Sequence, residues 1–251
     1  MIPLDDPTSL SMLFHLNSEP WLNDEAYRGS VYHQEFKQMD AGAPRTQLPP
    51  SPESPLSRLI ALRQSCRAYL PREMPLDTVS PLAVSAYGAL QLAEMADGSN
   101  YLRRSVPSAG GLFPLEVYLF TQRVQSLADG LYHYDVRGHA LELVRAGNRF
   151  ADLETVLYPY PFVREANLIF ALAAVFKRTQ KKYGPRGYRY ILLEAGHSAQ
   201  NICLAAAEQG LSTLCMGGFV DSRLNRMLAL PTADEGVVYA VAAGYGAEGI
   251  G

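Results

Sequence analysis

Arg63 and Arg67 stand four residues apart in the run Arg63-Gln64-Ser65-Cys66-Arg67, with a hydroxyl, Ser65, between them. That spacing puts two guanidiniums on one helix face or around its end. Each offers a planar fork of donors matched to phosphate. Taken alone, the pattern also reads as surface ion pairing. Two glycine-bearing segments narrow it. The stretch from Pro107 to Pro114 offers the Ser108 hydroxyl and open backbone amides at Ala109, Gly110 and Gly111. Gly217-Gly218 follows an apolar strand-like run, and missing side chains there let backbone N–H groups touch a flat ligand. A phosphate clamp with two glycine-lined surfaces points to a phosphorylated aromatic cofactor.

These residues need elements to hold them. Ser54-Pro55 is a helix start, and Leu56, Leu59, Ile60 and Leu62 give it an apolar stripe up to Arg63. A second helix is predicted from an N-cap at Asp77 through Val79, Leu82, Ala83, Ala86 and Leu90. Residues 103–114 carry two prolines and a glycine pair, which predicts a shaped loop. Strands are expected at 116–121, 130–134 and 140–144, joined by Asp129-Gly130 and Arg137-Gly138 into an antiparallel meander. A buried strand is expected over 167–175. Helical spacing then runs from Arg189 to Gln209 and stops at Gly210; its small residues Ala195, Gly196, Ser198 and Ala199 admit a close neighbour. A strand at 211–216, a short helix at 222–228 and a strand at 237–243 complete an α+β fold. The domain spans 53–251. Residues 1–52 read as an arm that ends in Pro44, Pro49, Pro50 and Pro52 and lies on this subunit or on a partner.

Composition sets the outer limits. The chain of 251 residues is 48% hydrophobic, which excludes disorder for most of it. Its 22 basic and 25 acidic residues leave a net charge of -3, so neither a nucleic acid nor an anionic membrane is expected as partner. Only 19% of residues are charged, against about 25% in an average soluble protein, so part of the surface is expected to be hidden in a partner. Cys66, Cys203 and Cys215 are odd in number, with no CxxC pair, which predicts neither a disulfide scaffold nor a zinc site. The acidic start, Met1 to Asp6, is unlike a signal peptide, and the apolar stretch 168–176 is about half of a membrane span. A cytoplasmic protein without a metal is expected.

Two lookalikes fail. Gly244-Tyr245-Gly246-Ala247-Glu248-Gly249 matches GxGxxG, but the sequence leaves no room for the helix whose N-terminus holds a pyrophosphate. Gly196-His197-Ser198-Ala199-Gln200 resembles a nucleophile elbow, yet it ends in Gln200 and sits in an alanine-rich helix. The five histidines show no metal spacing and read as structural.

Six motifs in order decide the matter: Arg63 to Tyr69; Val106 to Tyr118; Gly130-Leu131-Tyr132-His133-Tyr134; Lys182-Tyr183-Gly184; Leu193 to Asn201; and Gly217 to Asp221. Over roughly residues 54–246 the chain resembles the FMN-dependent nitroreductase superfamily, and within it the SagB-type or azoline-dehydrogenase branch. Tyr32-His33-Gln34 also looks like that branch's N-terminal extension. The resemblance implies a central, mostly antiparallel sheet flanked by helices, in an interleaved homodimer with FMN at the interface. Arg63, Ser65 and Arg67 would hold the phosphate. Pro107, Ser108, Ala109, Gly110 and Gly111 would reach the flavin bound mainly by the other subunit. Gly217 and Gly218 would bring backbone amides to the ring edge that accepts the hydride.

The same resemblance makes Lys182 and Tyr183 the pair associated with azoline oxidation, with Lys182 as base in an apolar pocket and Tyr183 orienting substrate or relaying the proton. Without it, Lys181-Lys182 reads as a solvated step ahead of a helix. One departure stands out: residues 239–251 hold no basic residue, whereas many relatives carry a second phosphate-binding pair there. Either the two arginines suffice, or another base such as Arg104 or Arg189 substitutes. The implied activity is oxidation of a peptide- or carrier-protein-bound thiazoline or oxazoline to the azole in natural-product biosynthesis, with biosynthetic complex partners. The alternatives are an NAD(P)H-dependent nitro or quinone reductase and a non-catalytic flavin-fold scaffold.

Overall fold

The computed structural model describes residues 9–18, 36–37, 42–94, 98, 100–157, 161–231 and 234–247. In chain order the elements are α1 (Ser9–Asn17), α2 (Pro55–Leu62), α3 (Leu76–Tyr87), β1 (Ala89–Glu94), β2 (Asn100–Arg104), β3 (Leu115–Thr121), β4 (Gly130–Asp135) and β5 (Ala140–Ala146). There follow α4 (Phe150–Val156), β6 (Leu168–Val175), α5 (Phe176–Tyr183), α6 (Arg186–Glu208), β7 (Ser212–Met216), α7 (Asp221–Met227) and β8 (Glu235–Gly244). The fold is α+β. Six strands form one sheet in the order β5-β4-β3-β6-β8-β7, and every neighbouring pair is antiparallel. The expected meander is the β3-β4-β5 half of it.

Central β6 explains why the sheet has helices on both faces. All of its residues but the last are buried, so it reads as a continuous apolar run. Leu168, Phe170, Leu172 and Ala174 face a core shared with α3 and α6. Ile169, Ala171 and Ala173 point the other way, into a core with α4 and α7. By contrast α2 buries none of its residues, although Ser54 closes a capping box with Ser57. Leu56 and Ile60 stay exposed.

Several boundaries differ from the sequence expectation. Asp77 lies in the first turn of α3, whose N-cap is Pro75. The helix stops at Tyr87, and Leu90 belongs to β1, paired with β2 in a separate hairpin that also takes Arg103 and Arg104 out of the expected loop. Leu90 fits the helical period from Ala86, but Leu90 and Leu92 also fit a period of two, so spacing alone does not separate them. Lys181 and Lys182 are exposed and precede α6, but they lie within a helix themselves, in the last turn of α5. Helix α6 starts at Arg186, three residues early, because Gly187 allows it. A Cβ there would meet Gln180 backbone atoms at 3.0 Å.

From the arm, α1 packs on this chain's own α5 and α6. Met12 joins the core, the Gln180 side chain donates to Ser11 Oγ at 2.9 Å, and His15 Nδ1 lies 3.0 Å from Tyr188 Oη. Trp21 and Tyr32-His33-Gln34 lie outside the described residues. The GxGxxG stretch is a zipper: Leu70 N–H donates to Tyr245 O and Ala247 N–H to Ala68 O, both at 2.8 Å. Among the described residues no helix is long and apolar enough to cross a membrane.

Candidate functional site

The loop between β2 and β3 is the more tightly built part. Ala109–Gly111 form one 3-10 turn, with Gly110 at φ +64°. Ser108 anchors it: its Oγ accepts the Phe113 N–H at 2.9 Å and donates to Glu194 Oε2 at 2.6 Å. Tyr87 Oη donates to Glu194 Oε1 at 2.5 Å and accepts the Leu115 N–H at 3.1 Å. Glu194 is 2% exposed, and burial holds its carboxyl above the usual range against the pull of Ser108, Tyr87 and Arg104. The Arg104 guanidinium lies over the Tyr87 and Phe113 rings at 4.6 and 4.7 Å. Farther along α6, Ser198 Oγ donates to Ala86 O and Asn201 Nδ2 to Ser105 O. The loop overlooks a cavity of about 600 Å³ whose lining includes Tyr101, Arg103, Arg104, Ser108, Gly110 and Phe113.

Lys182 and Tyr183 arrive at this loop from α5. A Cβ on Gly110 would sit 2.8 Å from Tyr183 Oη and 2.9 Å from Lys182 Nζ, so glycine is what lets both tips approach. Tyr183 packs edge-on to Tyr190, with centroids 5.0 Å apart. Arg178, one turn earlier, donates to Phe113 O at 3.3 Å and pairs with Glu116. Glu116 in turn meets His133, which Glu142 flanks on its other side, both at 3.0 Å. The bond to Glu116, helped by Glu142, pushes the His133 pKa up to about 9 despite partial burial. Lys182 is exposed, so the described residues of its own chain do not supply the apolar surroundings expected for a base.

The clamp is looser. Arg63 caps the end of α2 through its N–H to Leu59 O. The chain then runs beside β7, with Ser65 bridging Thr213 and the Cys66 N–H donating to Thr213 O at 2.9 Å. Arg63 and Ser65 line one small pocket of about 100 Å³. Arg67 is exposed and makes no ion pair with a described residue. Gly217, exposed, and Gly218, half-buried, leave the end of β7 open. Thr213 and Gly217 are four residues apart, about 13 Å of strand. That length suits a phosphate at one end and a tricyclic ring at the other, and guanidiniums without an ion pair to a described residue suit the phosphate. Arg104 does not reach this clamp in its own chain, because it is stacked at the loop.

Loop and clamp do not meet within one chain. Met216 pairs with Ala240, Ala240 with Ala171, and Ala171 with Tyr118, so three strand spacings, about 14 Å, separate the end of β7 from β3. Sequence reasoning missed Tyr87 and Glu194. A signal existed for the second: an acid in an otherwise apolar helix stripe, four and seven residues before Ser198 and Asn201. Among the described residues no cluster of His, Cys, Asp and Glu could hold a metal ion.

Residues 60–245 match the Nitroreductase family. MJ1384 of Methanocaldococcus jannaschii, a protein named for that family, is 31% identical over 73% of this chain and 89% of its own length. The microcin B17-processing protein McbC of Escherichia coli is also 31% identical, over 63% of this chain, and the match spans only 57% of that protein. Among solved structures, the E. coli microcin synthetase McbBCD complex with truncated pro-MccB17 bound contains a chain of the same fold. Its TM-score is 0.72 at 21% identity, covering 95% of this chain and 92% of that one. With three quarters of its length matched by the family, this chain belongs to the nitroreductase family.

Proposed function

We propose that this protein is an FMN-dependent oxidase that converts a peptide- or carrier-bound thiazoline or oxazoline into the azole during natural-product biosynthesis in the cytoplasm. The observation that carries the reading is the convergence of Lys182 Nζ and Tyr183 Oη on Gly110. Making an azole removes one proton from ring carbon together with a hydride equivalent, so a base must stand beside the electron acceptor. FMN supplies that acceptor. Lys182 takes the proton, and Tyr183 orients the substrate or relays it. Arg63, Ser65 and Arg67 hold the phosphate, while backbone N–H groups of Gly217 and Gly218 stabilise charge at the ring edge. The similarity to McbC, named for processing microcin B17, supports a peptide substrate and partner proteins. Oxygen is the terminal oxidant and leaves as hydrogen peroxide.

The separation of loop from clamp supports a homodimer in which the Pro107–Gly111 loop of one copy reaches the flavin held by the other. Exposed Leu56 and Ile60 of α2, Leu90 and Leu92 of β1, and Leu192 and Leu193 of α6 offer the apolar surface such an interface needs. Burial there would also give Lys182 its missing apolar surroundings.

The test is to supply FMN-loaded protein with a thiazoline peptide and no NADH. Loss of about 2 Da from the peptide is expected, and Lys182→Ala is expected to keep FMN but lose at least about 100-fold in azole formation. Unchanged turnover in that variant removes Lys182 from the mechanism. The second reading is a nitro or quinone reductase driven by NAD(P)H, which the match to MJ1384 favours. It would show as strong NADH-dependent nitroarene turnover with no azoline oxidation. A protein that sediments as a monomer with FMN fully bound removes the dimer.

A further inference from the structure

Two cysteines, one on a helix and one on a strand, meet beside the clamp. Cys203 of α6 and Cys215 of β7 have their sulfurs 3.5 Å apart, and all three cysteines are free thiols. Cys203 is 3% exposed, yet it lines the small pocket together with Arg63, Gln64, Ser65 and Cys66. Cys66 is engaged elsewhere, its Sγ donating to Ala68 O at 3.0 Å. Contact with Cys203, then with Tyr239, and the charge of Arg63 lower the Cys215 thiol below its usual range despite burial. The same contact between the sulfurs and burial push Cys203 up. Two thiols in contact, one of them eased toward ionisation, are the arrangement of an attacking and a resolving sulfur. Simple packing of two small apolar residues would need neither the pocket nor the guanidinium beside it.

We propose that Cys203 and Cys215 form a peroxide-oxidisable dithiol that sets how tightly the Arg63 clamp holds its anion. Cys215 Sγ attacks one oxygen of hydrogen peroxide; an S–O bond forms, the O–O bond breaks, and hydroxide leaves and takes up the proton given off by Cys215, as water. Cys203 Sγ then attacks the sulfenic sulfur; the S–S bond forms, the S–O bond breaks, and the Cys203 proton leaves with that oxygen as water. Two thiols give up two electrons and one peroxide becomes two waters. The sulfurs close from 3.5 Å to about 2.0 Å. That closure draws α6 toward β7 beside Thr213, where Ser65 and the Cys66 N–H fasten the clamp. The pocket narrows and Arg63 is displaced. Peroxide is the by-product of the oxygen-driven turnover proposed above, so the device would throttle the enzyme that makes its oxidant. This regulatory half rests on reading Arg63, Ser65 and Arg67 as flavin-phosphate contacts.

The test treats reduced, FMN-loaded protein with hydrogen peroxide, alkylates the remaining thiols, maps peptides by mass and measures FMN affinity by flavin fluorescence. A 203–215 crosslink is expected with Cys66 still alkylated. FMN should bind about fivefold more weakly or worse after peroxide, and recover with dithiothreitol. In Cys203→Ser and Cys215→Ser, peroxide should give no crosslink and leave FMN affinity where it was. Oxidation of Cys66 alone, or a crosslink without any change in FMN affinity, overturns the proposal. Reduced protein that takes up no FMN overturns the clamp reading and the regulatory half with it, and the peptide masses then decide the dithiol by themselves.

Discussion

The loop and the clamp treat their polar groups in opposite ways. At the loop, Ser108, Tyr87 and Glu194 are joined by hydrogen bonds of 2.5 to 2.6 Å, and Arg104 is sandwiched against two rings. At the clamp, Arg63, Ser65 and Arg67 have no side-chain hydrogen bond to a described residue, and the chain is tied down by backbone contacts to Thr213, Tyr245 and Ala247. A buried carboxylate is tolerated only if its neighbours satisfy it. Guanidiniums beside solvent wait at little cost for an anion. One region is complete before a ligand arrives; the other is a set of donors held ready.

Glu194→Ala tests that contrast most severely. It strands the buried Tyr87 hydroxyl and takes away the partner of the half-buried Ser108, and a stability loss of about 3 kcal/mol is expected by denaturant unfolding. A loss within about 0.5 kcal/mol would mean the loop is not prebuilt. Arg63→Ala should behave in the reverse sense. FMN affinity should fall about tenfold, roughly 1.4 kcal/mol, while the cofactor-free protein unfolds as before; equal damage to folding would erase the distinction.

Gly110→Ala comes next. Its φ of +64° costs an alanine about 1 kcal/mol, and the new methyl displaces Lys182 Nζ and Tyr183 Oη. Turnover should therefore drop by more than stability does. Parallel losses in the two measurements would argue that the lysine–tyrosine tips have no need of that position.

The smallest effect is electrostatic. His133, flanked by Glu116 and Glu142, titrates at about 9 instead of 6.5, so its stabilisation is complete below pH 6.5 and is lost as pH rises to 9. The pair with Glu142 faces solvent, which screens it, so the change should stay under about 1 kcal/mol. His133→Gln should flatten this slope in a melting-temperature series, and a slope that survives the substitution must come from another group.

Much of the fold was legible. The turn-bounded run 130–134, the apolar run 168–175 and the alanine-rich stripe of α6 each specify an element locally. The β1-β2 hairpin was not, because Leu90 satisfies both the helical and the strand period. Nor was the end of α5, where Lys181 and Lys182 look like solvent-facing charge in any conformation.

Sequence alone determined the identities and order of the donors: two arginines around Ser65, a serine ahead of two glycines, a glycine pair after a strand. These are local choices, written in residues a few positions apart. Only the tertiary structure decided which of them meet. Lys182 comes to Gly110, Glu194 comes to Ser108, and Cys203 comes to Cys215 because helices α5 and α6 pack back onto the sheet. The clamp and the loop stay apart because three strand spacings lie between them, a distance fixed by backbone hydrogen bonding whatever the side chains.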